Sequence, residues 1–156
     1  MNMIKTQDQR KAVQAARNLL DQKPIYIDTE TTGLGKDDEI IEIAIVEHDG
    51  SVLFNSLCKP TRPIPADAMR INHITNEMVQ DQPTWLILWQ KIRPLLLGRN
   101  IGMYNAEFDY RMMQQTHWKY HLEWKDNLRV FDIMKLYAMF RGEIDPIKRQ
   151  YKFFSL

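Results

Sequence analysis

Hydrophobic residues recur with helical spacing at the start of the chain and with strand spacing soon after it. Apolar positions three and four apart predict a helix over residues 7–20, and Pro24 closes the connection that follows it. Residues 25–28 then form a short apolar run typical of a central strand. Residues 39–47 and 51–59 flank Asp49-Gly50, a strong hairpin turn signal. Three consecutive strands are therefore predicted after the first helix.

The second half of the chain alternates between helical and strand-like patterns. Pro94 should kink or end the first of these helices early. Such alternation after a hairpin sheet predicts an α/β protein with a mixed central sheet flanked by helices. The predicted elements are a helix over 84–97, a strand over 99–104, a helix over 106–115, a strand over 128–131 and a helix over 133–140.

Composition narrows the class of protein. The 156 residues suffice for one domain with a substantial core, and 21 basic against 20 acidic residues argue only weakly against a long footprint on duplex nucleic acid. The single cysteine, Cys58, excludes an internal disulfide, and its strand-like surroundings predict a small buried residue. No signal sequence or apolar stretch of membrane-spanning length is apparent, so we expect a cytoplasmic protein that makes no membrane contact.

Two carboxylates, Asp28 and Glu30, stand at the end of the first predicted strand. Side chains at positions i and i+2 of a strand share a face, so these two acids point the same way and repel each other. A bound Mg²⁺ or Mn²⁺ converts that repulsion into ligation, because hard cations prefer carboxylate oxygens. The pair alone leaves two interpretations open, a divalent-metal site or solvated acids at the end of a strand.

Three segments resemble those of a known family. The sequence IDTETTGL over 27–34 and the sequence IGMYNAEFDYRMM over 101–113 are similar to the first and second motifs of the DEDD superfamily of 3'–5' exonucleases, which is related to the DNA polymerase III epsilon subunit. MRINHIT over 69–75 resembles that family's Ile-His-Gly-Ile-Thr segment, with Asn72 taken as the residue in place of glycine. The resemblance implies a ribonuclease H-like fold over residues 24–156, preceded by a helical extension over residues 1–23.

The resemblance also implies a mechanism and a set of site residues. Asp28, Glu30 and Asp109 would be the catalytic carboxylates and would bind two Mg²⁺ or Mn²⁺ ions that act on a phosphodiester at the 3' end of a single-stranded nucleic acid. Asn105 has helix capping as the alternative to a substrate contact, and Phe108 and Leu34 have packing against the protein as theirs. The residues assigned to substrate contacts are Thr31, Gly33, Leu34, His73, Asn105 and Phe108.

The family's third motif is not found in its expected place. In the family a fourth aspartate, with a histidine five positions before it, lies on a helix near the end of the domain, and the apolar run from Phe153 is expected to open such a helix. His121 and Asp126 have the required spacing, but they precede the last predicted strand and are interpreted as surface loop residues. Asp132 is interpreted as the cap of the helix that begins at Ile133.

Two classes of function follow from these observations. The first is a 3'–5' exonuclease that lacks its C-terminal helix in this chain and is weak or inactive as it stands. The second is a catalytically inactive nucleic-acid-binding or regulatory relative. Because an absent helix would leave an apolar face uncovered, a homo-oligomer is an additional expectation.

Overall fold

The computed structural model describes residues 6–155, which build one mixed sheet with helices packed against both of its faces. The sheet has five strands in the order β3-β2-β1-β4-β5. β1 pairs antiparallel with β2 and β2 with β3, whereas β1–β4 and β4–β5 are parallel pairs. This confirms the predicted α/β class. The strands are β1 Ile25–Thr31, β2 Ile40–Val46, β3 Val52–Leu57, β4 Asn100–Met103 and β5 Arg129–Asp132.

The helices include two short ones that the hydrophobic pattern did not predict. α2 and α3 lie between β3 and α4, in a segment where the sequence shows no sustained periodicity. A two-stranded hairpin, β6 Ile144–Asp145 and β7 Gln150–Tyr151, follows the last helix and was also not predicted. The helices are α1 Gln7–Asp21, α2 Ala66–Asn72, α3 Asn76–Val79, α4 Trp85–Leu96, α5 Ala106–Lys119 and α6 Ile133–Arg141.

β1 is longer than its apolar run indicates. Its side chains alternate, so that Ile25 and Ile27 are buried in the core that α4 and α5 cover, and Asp28 is exposed on the opposite face. The strand continues through polar residues to Thr31 because β2 pairs with it, setting Glu30 opposite Glu42. The register shifts between Glu30 and Thr31, which bends the strand where its polar residues end.

The core between the sheet and α4 is rich in aromatic residues. Trp85 and Trp89 are buried and stack with their ring centroids 5.6 Å apart, as their four-residue spacing predicts. The helix does not end early at Pro94. It continues to Leu96, because proline in the last turn removes only one backbone donor. Cys58 is buried, as predicted.

α1 packs against α6 over the face of the sheet that carries Tyr26 and Phe131. A capping box at Thr6 starts α1, since the Thr6 side chain accepts from the backbone N–H of Gln9. Gln9 in turn donates to the Arg141 carbonyl at the end of α6, at 3.5 Å. Residues 1–5 of the predicted extension lie outside the described residues.

The last described residues run back toward the sheet. Residues 152–155 form neither a helix nor a strand, so within the described chain the apolar run from Phe153 does not open the expected helix. The Tyr104 hydroxyl, just beyond β4, donates to the Phe154 carbonyl. Within residues 6–155, no helix combines the length and the apolar character needed to cross a membrane.

Candidate active site

Asp28 and Glu30 lie on the same face of β1, as the sequence predicts. Asp28 is exposed and Glu30 is half-buried. Partial burial raises the pKa of Asp28 from its ordinary value, and it raises the pKa of Glu30 as well. The negative charges of Asp28 and Glu42 raise the Glu30 pKa further. The two acids therefore form a site that favours a cation or a proton.

Glu42 was missed by the sequence analysis. It stands directly opposite Glu30 in the antiparallel β1–β2 pair, so both side chains extend from the same face of the sheet. The signal was available in principle, because Glu42 lies in the strand predicted to follow Asp28 and Glu30 along the chain. Using it required the register between β1 and β2, which the sequence pattern does not give.

Asp109 lies in the first turn of α5, beside the pair. Its Oδ1 accepts from the Thr29 hydroxyl at 2.7 Å, which ties the start of α5 to the middle of β1. Burial raises the pKa of Asp109 to about 6, and the charge of Asp28 acts in the same direction, while the Thr29 hydrogen bond opposes both. Among the described residues, no basic side chain forms an ion pair with Asp28, Glu30 or Asp109.

The donor chemistry fits Mg²⁺ or Mn²⁺, since both ions prefer carboxylate oxygens. The structure brings only some of the three expected carboxylates together on one face of the sheet. Across residues 6–155, no three His, Cys, Asp or Glu side chains stand close enough together to hold a metal ion. Asp28 and Glu30 share a face, whereas Asp109 is held by Thr29, a buried residue of the other face. The metal role of the three carboxylates therefore stays a prediction.

A groove of about 410 Å³ runs beside the acid pair. Leu34 stands at its edge with 78% of its surface exposed, while Phe108 also packs against the core. Gly33 has no room for a side chain, because a Cβ there would lie 2.6 Å from Asp38 Oδ2. The lining residues include Glu30 and four of the predicted substrate contacts, Thr31, Gly33, Leu34 and Phe108.

The capping alternative for Asn105 requires its side chain to cap α5, and the side chain does not do so. It occupies the N-cap position in a left-handed conformation, with φ 64°, and its amide makes no capping hydrogen bond. Asparagine enters this region at lower cost than most residues. The residue type therefore serves the sharp turn from β4 into α5, and its exposed amide is not among the residues that line the groove.

The segment over 69–75 differs from the expectation in one respect. The left-handed residue, where glycine would fit best, is His73 with φ 60° and not Asn72. Asn72 ends α2, and its amide donates to the Thr31 carbonyl at 3.2 Å while accepting from the backbone N–H of Ile74. Asn72 thereby lines the groove, whereas His73 is exposed outside its lining.

The pair His121 and Asp126 does not approach the carboxylates as a catalytic substitute would. Asp126 accepts three hydrogen bonds from the Arg93 guanidinium, at 3.1, 2.8 and 2.7 Å, and His121 is exposed in the loop after α5. Asp132 caps α6 by accepting from the backbone N–H of Lys135 at 3.1 Å. Both interpretations made from the sequence are confirmed.

Comparison with known proteins identifies the family of this chain. Residues 25–153 match the family described as Exonuclease, and the chain belongs to that family. It is 43% identical over 135 residues to an uncharacterized exonuclease, CP81, of Escherichia phage 186, covering 83% of this chain and 70% of the phage protein. It is 37% identical over 90 residues to the DNA polymerase III subunit epsilon of Treponema pallidum, covering 55% of this chain and 42% of that subunit. The resemblance to the polymerase III epsilon type of exonuclease is confirmed.

Solved structures agree with the fold. Exonuclease X in complex with 5' overhanging duplex DNA superposes with a TM-score of 0.59 at 30% identity, covering 82% of this chain and 67% of that one. Exonuclease I without ligand superposes with a TM-score of 0.64 at 19% identity, covering 80% of this chain and 32% of that one. The mixed five-stranded sheet is thus the ribonuclease H-like fold of exonucleases.

Proposed function

We propose that this chain is a 3'–5' exonuclease domain that binds the 3' end of a single DNA strand and hydrolyses its terminal phosphodiester with Mg²⁺ or Mn²⁺. The main observation behind this proposal is that the acid pair, Asp28 and Glu30, stands beside a groove whose edge is formed by Leu34 and Phe108. The names of the relatives favour DNA over RNA, since they are DNA polymerase subunits and an exonuclease bound to DNA.

Each residue of the site has a distinct role in this proposal. Asp28 and Glu30 would hold the ion, with Asp109 as the third carboxylate, and when bound the divalent ion would supply Lewis acidity toward the phosphate. Leu34 and Phe108 offer apolar surface to the terminal base. Gly33 allows the nucleotide to approach the backbone closely.

A second candidate, binding without hydrolysis, is favoured by the positions of the histidines. His48 contacts Glu47, and buried His117 accepts from Trp85 at 3.1 Å. His73 and His121 are exposed, and among the described residues no imidazole lines the groove. Because the loss of a general base typically slows a reaction by about 10²- to 10⁴-fold, we expect these 156 residues to hydrolyse slowly.

Cleavage of a single strand labelled at its 5' end tests the proposal. Reactions with Mn²⁺, Mg²⁺ or a chelator should give a ladder shortened from the 3' end only with the metals. Asp28→Asn should slow it by at least about a hundredfold. Asp81→Asn, an exposed acid before α4, is the matched control. RNA of the same sequence measures the preference for DNA.

The outcomes separate the two candidates. Binding of the strand without any shortening supports the nucleic-acid-binding module. Neither binding nor shortening refutes both candidates. Shortening that persists in the chelator, or from the 5' end, contradicts the proposed chemistry.

A further inference from the structure

The loop between β1 and β2 is fastened to α5 through its own backbone. We call residues 33–38 the Leu34 loop. Arg111 donates to the Leu34 carbonyl at 3.3 Å and to the Gly35 carbonyl at 3.4 Å. Gln115 donates to the same Gly35 carbonyl at 3.0 Å and to the Asp38 carbonyl at 2.5 Å. Two side chains of one helix thus satisfy three carbonyls of this loop.

The fastening side chains belong to the same stripe of α5 as Phe108. Positions 108, 111 and 115 are three and four residues apart, so they follow one face of the helix. The Arg111 guanidinium lies 5.4 Å from the centre of the Phe108 ring and also donates to Gln115 Oε1 at 2.9 Å. Arg111 therefore contacts both sides of the groove edge, the Phe108 ring and the backbone of Leu34.

Other contacts hold the two ends of the loop, because the Thr31 hydroxyl donates to the Gly33 carbonyl at 2.8 Å and both Arg62 and Lys119 contact Asp37. The bonds from α5 reach the tip of the loop, at Leu34 and Gly35. Two glycines, Gly33 and Gly35, give the backbone wide conformational freedom. Asp38 closes the base of the loop by accepting from the Thr32 hydroxyl and from the Gly35 N–H, at 2.8 and 2.6 Å. Leu34 makes no comparable side-chain packing, since 78% of its surface is exposed.

We infer that Arg111 and Gln115 are positioning residues that fix Leu34 and Phe108 as the two apolar surfaces meeting the terminal base. This inference rests on the proposed function. Their side chains bind the backbone of the Leu34 loop and each other, so their effect passes through that loop. Without them the loop moves, and the terminal nucleotide loses a preorganised contact.

Arginine is required at position 111 by geometry as well as charge. Its planar guanidinium donates to two carbonyls and Gln115 while lying over a ring, which a lysine ammonium cannot reproduce. A lysine would still attract DNA phosphates. Arg111→Lys therefore separates positioning from simple electrostatic attraction.

The experiment compares Arg111→Lys, Arg111→Met and Gln115→Leu with Lys91→Met, which removes an exposed charge from α4. The measurements are KM and kcat on a single strand, binding of a strand that ends in a fluorescent base analogue, and hydrogen exchange of the Leu34 loop without DNA. Both Arg111 variants should raise KM and the dissociation constant by about tenfold, since binding loses preorganised contacts, and change kcat less than about threefold. Exchange of the loop amides should quicken while exchange in β1 does not.

A double-mutant cycle with Leu34→Ala completes the test. If Arg111 acts largely through Leu34, the variant carrying both Arg111→Met and Leu34→Ala should lose less binding than the sum of the two separate losses, and what remains is the share that passes through Phe108. Wild-type KM in Arg111→Lys, additive losses in the cycle, or unchanged loop exchange in Arg111→Met would each overturn the inference. If the wild-type chain neither binds nor cleaves DNA, the proposed function fails and the positioning role fails with it, whereas altered loop exchange would still report the fastening itself.

Discussion

The Thr29 hydroxyl donates to Asp109 across 80 residues of sequence, and this bond joins β1, which carries Asp28 and Glu30, to the third carboxylate of the site. Thr29 lies between Asp28 and Glu30, yet its side chain is buried on the other face of β1. Asp109 thereby has a fixed partner, which lowers its pKa, in a place where burial raises it. The bond makes the charge state of Asp109 sensitive to a residue that carries no charge.

Asp109 should make the protein lose stability as the pH rises. Its pKa is about 6 in the folded state against an ordinary value of 3.8, so its contribution is fully present below about pH 3.8 and is lost as the pH passes about 6. Thr29→Val removes a bond that lowers this pKa, so it should deepen the loss at pH 7. Urea unfolding between pH 4.5 and pH 7.5 in steps of about half a unit measures the difference.

Asp109→Asn is the control for this prediction, because it cannot titrate and should remove the Asp109 share of the slope, leaving the share of Asp28 and Glu30, whose pKa values are also raised. Mn²⁺ provides a second readout without DNA. An ion that binds the carboxylates competes with protons, so it should raise the melting temperature more at pH 7 than at pH 5. Identical pH profiles for the wild type and Thr29→Val would contradict the role given to this bond.

His117 should act in the opposite direction on stability. Its Nδ1 accepts from the Trp85 N–H, and burial lowers its pKa from 6.5. Stability from neutral His117 is therefore present above about pH 6.5 and is lost as the pH falls below it. His117→Asn keeps an acceptor but cannot be protonated. Its unfolding free energy should change less than that of the wild type between pH 7.5 and pH 5.5; an equal change would exclude His117 as the cause.

Two substitutions at Asn105 distinguish a role in the backbone turn from a role in substrate binding. With φ at 64°, Asn105→Ala should destabilise the protein by about 1–2 kcal/mol, and Asn105→Gly should cost little because glycine enters the left-handed region freely. If the exposed amide also contacts the substrate, Asn105→Gly should fold normally but bind a DNA 3' end more weakly. Normal binding by Asn105→Gly would leave the backbone turn as the reason for asparagine. Thermal unfolding and oligonucleotide binding are the two measurements.

Gly102 should tolerate no added methyl group. A Cβ at this position in β4 would lie 2.7 Å from ring carbons of both Phe131 and Tyr26. Gly102→Ala should therefore cost about 1–3 kcal/mol through overpacking, measured by urea unfolding. Phe131→Leu in the same variant should restore part of the loss. A Gly102→Ala protein as stable as the wild type would show that the rings move aside without penalty.

The motifs could be placed from the sequence because each combines an apolar strand with a few polar residues of fixed spacing. Asp28 and Glu30 share a face by strand geometry alone, and Trp85 and Trp89 share one by helix geometry. The apolar run of β1 ends at Asp28, so hydrophobicity alone does not show that the strand continues to Thr31. Pairing with β2 decides it.

The features of the fold and the site that the sequence did not predict depend largely on contacts between distant segments. α2 and α3 are too short to show a period, and α5 extends to Lys119, beyond its predicted end at residue 115. Glu42 joins the acidic face only once the strand register is known, and the fastening of the Leu34 loop by Arg111 joins residues 76 or more positions apart. The left-handed residue is His73 and not Asn72, because α2 ends at Asn72 and His73 is the C-cap residue at which the chain turns.

The packing of α1 on α6 has a consequence for how the chain is made. α1 is synthesised well before the residues it packs against, which lie in α6 between Ile133 and Phe140. The Tyr151 hydroxyl also donates to Asp8 at 2.5 Å, across 143 residues of sequence. On the ribosome, the apolar side of α1 must therefore wait without its partner until α6 has emerged, and during that interval it is open to chaperones and to aggregation.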